Sequence, residues 1–281
     1  MDLAKIKRLR EETGFGMLEV KNALNEANDD LNLAREILSK LNKNVQTNKR
    51  VASKGLTRVY TEGDDAILFE VNAETDFVSK HPVFIKMIDD LAVLLMKSKA
   101  VTVSDALKVK IDDLTVQDYI NQVGNVIKEN TFLRRFYRIR KSSSQHFATY
   151  MHQGGKISVL VIMNESDDKL GKEIALQIAS SSPKYLSVDK IDKQTVLYEK
   201  MMLEKEGKSV LEVDLNAYLE SISLYDQSYV KNPSLKVREV LGNNRIVDFY
   251  RFELGQGIEN KLNCRLDVAC DGSTITFASH F

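Results

Sequence analysis

The stretch Glu70-Val71-Asn72-Ala73-Glu74-Thr75-Asp76-Phe77-Val78-Ser79-Lys80 joins two segments with different periodicity. Before it, residues 66–71 form a short apolar run of strand-forming residues that follows a turn at residues 63–65. After it, apolar residues recur at helical spacing over residues 84–95, and Pro82 suits the first turn of a helix. The stretch is therefore predicted to connect a strand to a helix. In this prediction Thr75 caps a first turn, and Asp76 and Phe77 are displayed.

Phe77 has two interpretations. Phenylalanine is usually buried, so its residue type alone places the ring in the core. Residues 71–78, Val-Asn-Ala-Glu-Thr-Asp-Phe-Val, however, resemble the signature of the bacterial elongation factor Ts family, the nucleotide-exchange factors for elongation factor Tu. The resemblance implies that this segment binds the partner GTPase through Thr75, Asp76, Phe77 and Val78. Ala73 is a mild departure, because the family usually has cysteine or another small residue there.

Composition limits the classes of protein that the chain can represent. Its 281 residues predict two or three domains. Forty basic and 40 acidic residues balance, which argues against a nucleic-acid or membrane binder driven by overall charge. No apolar run approaches the ~20 residues of a membrane span, and residues 1–7 lack the apolar region of a secretory signal. Two cysteines, Cys264 and Cys270, make neither a disulfide framework nor a convincing metal site, so we expect a cytoplasmic protein without cofactor or metal.

Residues 1–52 are predicted to be a three-helix module and a polar linker. Apolar residues keep helical spacing on both sides of the break at residues 13–16, and residues 28–30 supply the second turn. This pattern resembles a ubiquitin-associated module. Met17 is either core filler or an apolar contact for a partner. Residues 9–17 are similar to the family's N-terminal motif, which implies contacts to the partner's nucleotide-binding domain through Leu9, Thr13, Gly14, Gly16 and Met17.

The remainder is predicted to be an α+β core of two subdomains. The first spans residues 53–140, and the second spans residues 141–281 and repeats the order strand, turn, strand, helix. Residues 190–223 are charged and helical, and they match the family's projecting antiparallel coiled coil as an inserted hairpin. From residue 260 the chain departs from the family, whose members usually end in an acidic helix, and the pattern indicates strand or irregular structure.

Residues 134–141 carry five basic residues interleaved with Phe136, Tyr137 and Ile139. Such a strand can bind RNA through its cations and aromatic rings. Alternatively, it can be half buried, with its arginines on the solvent-exposed face. The first possibility gives an alternative function, an RNA-binding or adaptor protein that uses this strand and the N-terminal helical bundle, although nucleic acid is not the expected partner. The family carries a similar Glu-Asn…Arg-Arg segment here, and Lys128 stands where the family often has glycine.

The sequence does not predict an enzyme. The candidates would be His81, His152 and nearby carboxylates, but no metal cluster or activated nucleophile has a workable spacing. Gly255 and Gly257 lack the Lys-Ser/Thr of a phosphate loop and predict a turn after a strand. By resemblance His152 faces the partner, and the alternative is a structural histidine that caps the turn from within. Gln177 replaces a histidine often seen in the family. The expected function is therefore guanine-nucleotide exchange on elongation factor Tu, without direct nucleotide or membrane binding.

Overall fold

A computed structural model describes residues 3–13, 17–45 and 52–258 of the chain. These residues form a mixed α+β structure, as predicted. Several predictions lie outside the described residues: the contacts assigned to Gly14 and Gly16, most of the linker, and the tail with its two cysteines.

Three helices form the N-terminal part: α1 (Leu3–Thr13), α2 (Met17–Glu26) and α3 (Leu31–Val45). Asn28 and Asp29 have positive φ angles of 49° and 64°, which turn the chain between α2 and α3. Asp30 begins α3, because its carboxylate accepts hydrogen bonds from the backbone N–H groups of residues 32 and 33. One apolar core lies between the helices and includes Leu9, Val20, Leu24, Ala34 and Leu38.

The first sheet has the strand order β1-β2-β5, with β1 at Lys54–Glu62, β2 at Asp65–Ala73 and β5 at Phe132–Arg140. Helices α4 (Pro82–Lys97), α5 (Val103–Lys108) and α6 (Val116–Ile127) belong to the same core. The short strands β3 (Lys110–Ile111) and β4 (Leu114–Thr115) pair between α5 and α6. Alternate residues of β2 and the helical stripe of α4 bury the largest side chains, including Phe69 and Phe84.

The sequence analysis did not predict α5 or the pair β3-β4. A signal was nevertheless present, because both α5 and α6 begin with a capping box. In each box a threonine, Thr102 or Thr115, exchanges hydrogen bonds with an aspartate three residues later.

The second sheet has the order β6-β7-β10, with β6 at His146–His152, β7 at Ile157–Met163 and β10 at Ile246–Glu253. Both pairings are antiparallel, and Val161 lies opposite Ala148 on one side and Phe249 on the other. Helix α7 (Asp168–Ser181) packs on this sheet. Short elements follow: β8 (Ser228–Tyr229) pairs with the exposed β9 (Asn232–Lys236), and β8 and α10 (Val237–Leu241) contribute side chains to the core.

The inserted helices are α8 (Lys193–Lys205) and α9 (Glu212–Ser221). Their buried side chains are few: Glu199 and Leu203 on α8, and Leu219 on α9. A coiled coil buries an apolar residue at every third or fourth position along its seam. The structure therefore confirms two helices here, while the coiled-coil geometry stays a prediction.

The described chain forms two compact units. The first unit holds the residues up to Tyr60, Ile67–Arg138 and the segment from Leu254, and the second unit holds Thr61–Ala66 and Ile139–Glu253. The subdomain boundaries inferred from the sequence stay predictions. Each unit contains a hairpin, a helix after it and a third strand that joins the hairpin's second strand. No described helix is both long and apolar enough to cross a membrane.

Candidate functional site

Phe77 is displayed on the surface of the first unit. Its side chain is 85% exposed, and Asp76 beside it is also exposed. Val78 is buried and begins a short 3-10 turn, Val78–Lys80. The turn is closed by hydrogen bonds from the Lys80 N–H to the Phe77 carbonyl (3.1 Å) and from Ser79 Oγ to the Asp76 carbonyl (2.7 Å). The burial tendency of phenylalanine therefore gives the wrong prediction, and the expected display is confirmed.

Thr75 does not cap a helical turn, which corrects the prediction. Its hydroxyl donates instead to a carboxylate oxygen of Glu129. The 3-10 turn has no side-chain cap, and α4 is capped by His81, whose Nδ1 accepts the Val83 N–H at 3.3 Å. A candidate catalytic histidine thus has a structural partner.

Glu129 and Asn130 hold the segment that precedes Asp76. Glu129 Oε2 accepts the backbone N–H groups of Glu74 (3.1 Å) and Thr75 (2.9 Å), and Oε1 accepts the Thr75 hydroxyl. Asn130 Nδ2 donates to the Glu74 carboxylate. The sequence analysis noted Glu129-Asn130 as a family-like pair but gave it no role, because the pair lies more than 50 residues from the segment.

Asp76, beside Phe77, forms a long ion pair with Lys54. Lys54 Nζ lies 3.7 Å from Asp76 Oδ2, and both side chains are largely solvated. Exposed ion pairs contribute about 0–1 kcal/mol. This contact therefore leaves Asp76 accessible to a partner.

A buried ion cluster lies beneath the segment. Glu70 is fully buried on β2, and it receives Arg134 Nη1 (3.1 Å) and Arg135 Nε (2.6 Å) from β5. The Gly255 N–H donates to Glu70 at 2.9 Å, and Arg134 also donates to the Gln256 carbonyl at 2.6 Å. Burial lowers the pKa of Arg135 below its ordinary value, although the negative charge of Glu70 opposes that change. The cluster links β2 to β5 three residues before the end of β2, where the chain continues towards Phe77.

Three of the four arginines of the basic strand form bonds within the protein. Arg134 and Arg135 pair with Glu70. Arg138 donates to the carbonyls of Leu95, Met96, Ser98 and Ala100, at and just beyond the end of α4, as in helix C-terminal capping. Lys141 likewise pairs with Asp64, and Arg140 alone of the five basic residues is exposed, so the strand offers little of the charge that the RNA-binding alternative requires.

The N-terminal candidates differ in accessibility. Met17 is 55% exposed at the start of α2, so its side chain is available to a partner. Leu9 is fully buried between the three helices and can act only by supporting them. Thr13 ends α1, where its hydroxyl donates to the Leu9 carbonyl and its own carbonyl accepts from Asn125 Nδ2 at 3.3 Å.

His152 belongs to the second unit, at the end of β6, and is half exposed. Its Nδ1 lies 3.2 Å from the Tyr150 hydroxyl, and its carbonyl accepts the N–H groups of Gly155 and Lys156 in the following turn. Gln177 is buried on α7, where its amide bonds to the Val230 N–H (2.7 Å) and the Ser228 carbonyl (3.2 Å). Gln177 is therefore a structural residue of the second core.

The arrangement of these residues is suited to binding another molecule. Within residues 3–13, 17–45 and 52–258, no group of three or more His, Cys, Asp and Glu side chains is placed to hold a metal ion. The glycines after β10 lie in a turn, and one of them binds the Glu70 carboxylate through its N–H. The principal feature is an exposed aromatic ring on a segment fixed at both ends. Such a ring can insert into a pocket of another molecule.

Comparisons with known proteins give two findings. The family model for Elongation factor TS matches residues 74–256 of this chain. Elongation factor Ts from Acholeplasma laidlawii (strain PG-8A) is 36% identical over an alignment of 279 residues, which covers 92% of this chain and 94% of that relative.

Proposed function

This chain belongs to the elongation factor Ts family of nucleotide-exchange factors in translation elongation, and we propose that it promotes release of GDP from elongation factor Tu. The observation that carries the proposal is the exposure of Phe77 within a segment that is otherwise anchored. An aromatic ring left in water forgoes about 1.5–3 kcal/mol of burial. A partner that buries the ring recovers this free energy on binding.

The proposed mechanism is indirect. Phe77, assisted by Asp76, enters the partner's GTPase domain and disturbs the structure around the Mg²⁺ ion and the phosphates of GDP. Thr75 and the buried Val78 hold the segment in place. The chain itself binds neither the nucleotide nor a membrane, and it needs no cofactor. Binding free energy from surfaces away from the ring offsets the cost of opening the partner's pocket.

Two further surfaces contribute in this proposal. The N-terminal helices form a ubiquitin-associated-like module that binds through Thr13, Gly14, Gly16 and Met17, and the buried Leu9 supports it from the core. In the second unit, the half-exposed His152 contributes a contact next to a glycine turn. The helices α8 and α9 project as a coiled coil.

If this chain promotes GDP release, then the chain and the nucleotide must each weaken the binding of the other to elongation factor Tu. If the chain weakens GDP binding, then GDP with Mg²⁺ must weaken binding of the chain by the same factor. A coupling of ~3 kcal/mol corresponds to a change of roughly 150-fold in each affinity. Titration of the chain into elongation factor Tu, without nucleotide and then with excess GDP and Mg²⁺, measures this factor. Equal affinity in both titrations would show that the chain is a passive partner.

The decisive experiment is Phe77→Ala in a GDP-release assay with elongation factor Tu. Circular dichroism should show that the variant retains its fold, because the Phe77 ring is exposed and is not part of the core of the first unit. Loss of about 3 kcal/mol of transition-state binding would slow stimulated release ~150-fold. The matched control is Val101→Ala, which truncates another exposed apolar residue of the same unit and should exchange normally. A folded Phe77→Ala protein with an unchanged rate would contradict the assignment.

A further inference from the structure

We propose that Glu129 is a positioning residue for exchange, and that its carboxylate fixes the direction in which Phe77 projects. This inference rests on the proposed function and deepens it. Glu129 itself does not need to touch the partner. Its effect is on the conformation of the segment before the partner arrives.

One carboxylate holds two consecutive residues. The backbone N–H groups of Glu74 and Thr75 share Oε2, and the Thr75 hydroxyl binds Oε1. Hydrogen bonds to an ionised acceptor are about twice as strong as neutral ones. Because the donors lie immediately before Asp76, they determine where the chain points as it leaves β2.

The displayed residues are held at both ends. On the N-terminal side Asn130 adds a bond to the Glu74 carboxylate. On the C-terminal side the buried Val78 enters the core of the first unit. Only Asp76 and Phe77 lie between these anchors. A segment fixed in its binding conformation loses less conformational entropy when it binds, so it binds more tightly and reacts faster.

The backbone around Glu129 is shaped for this contact. Lys128 takes a left-handed conformation (φ 58°, ψ 37°) that ends α6, and the Glu129 N–H then returns to the Gly124 carbonyl at 3.0 Å. Gly124 permits the close approach, because a Cβ there would lie 2.9 Å from the Glu129 carbonyl oxygen and 2.7 Å from Thr131 Oγ1. The tight turn directs Glu129 and Asn130 back towards residues 74 and 75.

The test compares Glu129→Ala and Glu129→Gln in the full chain. Glu129→Ala should lower the saturating rate of GDP release from elongation factor Tu about tenfold. Glu129→Gln should restore most of that rate, because the amide oxygen accepts both N–H groups and the amide nitrogen donates to the Thr75 hydroxyl. Glu62→Ala, which truncates an exposed glutamate at the end of β1, is the matched control and should exchange normally.

Hydrogen exchange supplies a readout that does not depend on the partner. In Glu129→Ala the amides of Glu74 and Thr75 should exchange faster, while the amide of Phe69 in β2 stays protected. If Glu129→Ala does not fold, Asn130→Ala serves instead, since it removes only the bond to Glu74 and should give a smaller loss of rate.

The outcomes separate the two proposals. If the unmodified chain fails to accelerate GDP release, the proposed function fails, whatever the variants do. If the unmodified chain is active and Glu129→Ala matches it, the positioning role alone is overturned. The role is also overturned if Glu129→Gln is as slow as Glu129→Ala, or if a folded Asn130→Ala variant, used in place of an unfolded Glu129→Ala, shows no loss.

Discussion

Lys128 shows how one residue can store strain beside the candidate site. It adopts φ 58°, a left-handed conformation that costs a residue with a side chain about 1–2 kcal/mol and costs glycine almost nothing. The sequence analysis noted that glycine is common here in the family. The structure gives the physical reason, which is the reversal of the chain after α6.

We therefore expect Lys128→Gly to stabilise the first unit by about 1 kcal/mol, after allowing for the greater entropy of glycine in the unfolded chain. Urea unfolding of the variant and the parent measures the difference. Lys128→Ala is the control, because alanine removes the charge and the long side chain but keeps the strain. A gain of equal size in Lys128→Ala would show that the charge, and not the backbone, is responsible.

At the residue scale, the sequence predicted which side chains are exposed better than it predicted which bonds hold their segment in place. The exposure of Asp76, Phe77 and Met17 followed from the motif, and the structure confirms it. The supporting bonds of Glu129 and Glu70 could not be predicted, because their partners lie 54 to 185 residues away in the chain. Pairing at such distances depends on the strand order, which a single sequence does not reveal.

At the element scale, a buried carboxylate joins the two inserted helices to each other and to residues 184 and 185. Glu199 on α8 accepts hydrogen bonds from Lys184 Nζ (2.8 Å), the Tyr185 hydroxyl (2.9 Å) and the Tyr218 hydroxyl on α9 (2.8 Å). Burial raises the pKa of the Glu199 carboxyl, but these hydrogen bonds outweigh burial and hold its pKa below the ordinary value.

The lowered pKa predicts a loss of stability in acid. A carboxyl whose pKa falls on folding stabilises the protein above its unfolded pKa, near 4.5, and loses that contribution as the pH falls through the folded value. Glu199→Gln should therefore be less stable than the parent at pH 7, by about 2 kcal/mol, and should lose less stability between pH 5 and about pH 3. Urea unfolding over this pH range measures both effects.

The control for this prediction is Glu204→Gln, which changes an exposed glutamate on the same helix. Its stability should follow that of the parent at every pH. If Glu199→Gln shows the same acid dependence as the parent, Glu199 does not have the altered pKa that its bonds imply.

Elements with long apolar periods were predicted well, and short ones were not. The helical spacing over residues 84–95 and the apolar run of residues 66–71 predicted α4 and β2, with bounds close to the observed ones. Helix α5 has six residues, too few to show a helical period, and β3 and β4 have two residues each. Their positions depend on capping and tertiary contacts more than on pattern.

At the scale of the whole molecule, the chain enters the second unit and then returns to the first. The segment from Leu254 belongs to the first unit, where the Gly255 N–H binds Glu70. Gly255 has φ 73°, and a Cβ there would lie 2.6 Å from the Ser53 carbonyl oxygen. Only glycine fits this position without displacing backbone.

Gly255→Ala should therefore destabilise the first unit by about 2–3 kcal/mol, although the residue follows the second unit in sequence. Hydrogen exchange measures the effect separately in each unit, and protection should fall in β2 while β7 is unaffected. Gly207→Ala is the matched control, since Gly207 also has a positive φ of 69° but a Cβ there meets no atom within 4 Å. Equal loss of protection in β2 and β7 would contradict the assignment of this segment to the first unit.

The return of the chain to the first unit also affects how the protein folds during its synthesis. The ribosome adds residues from the N-terminus, and domains generally fold as they emerge. Glu70, Arg134 and Arg135 are made well before Gly255, so a nascent first unit contains the charged cluster without one of its donors. The first unit, which carries Phe77, should therefore reach full stability only after residue 255 has emerged, so the segment around Phe77 gains its full support late in translation.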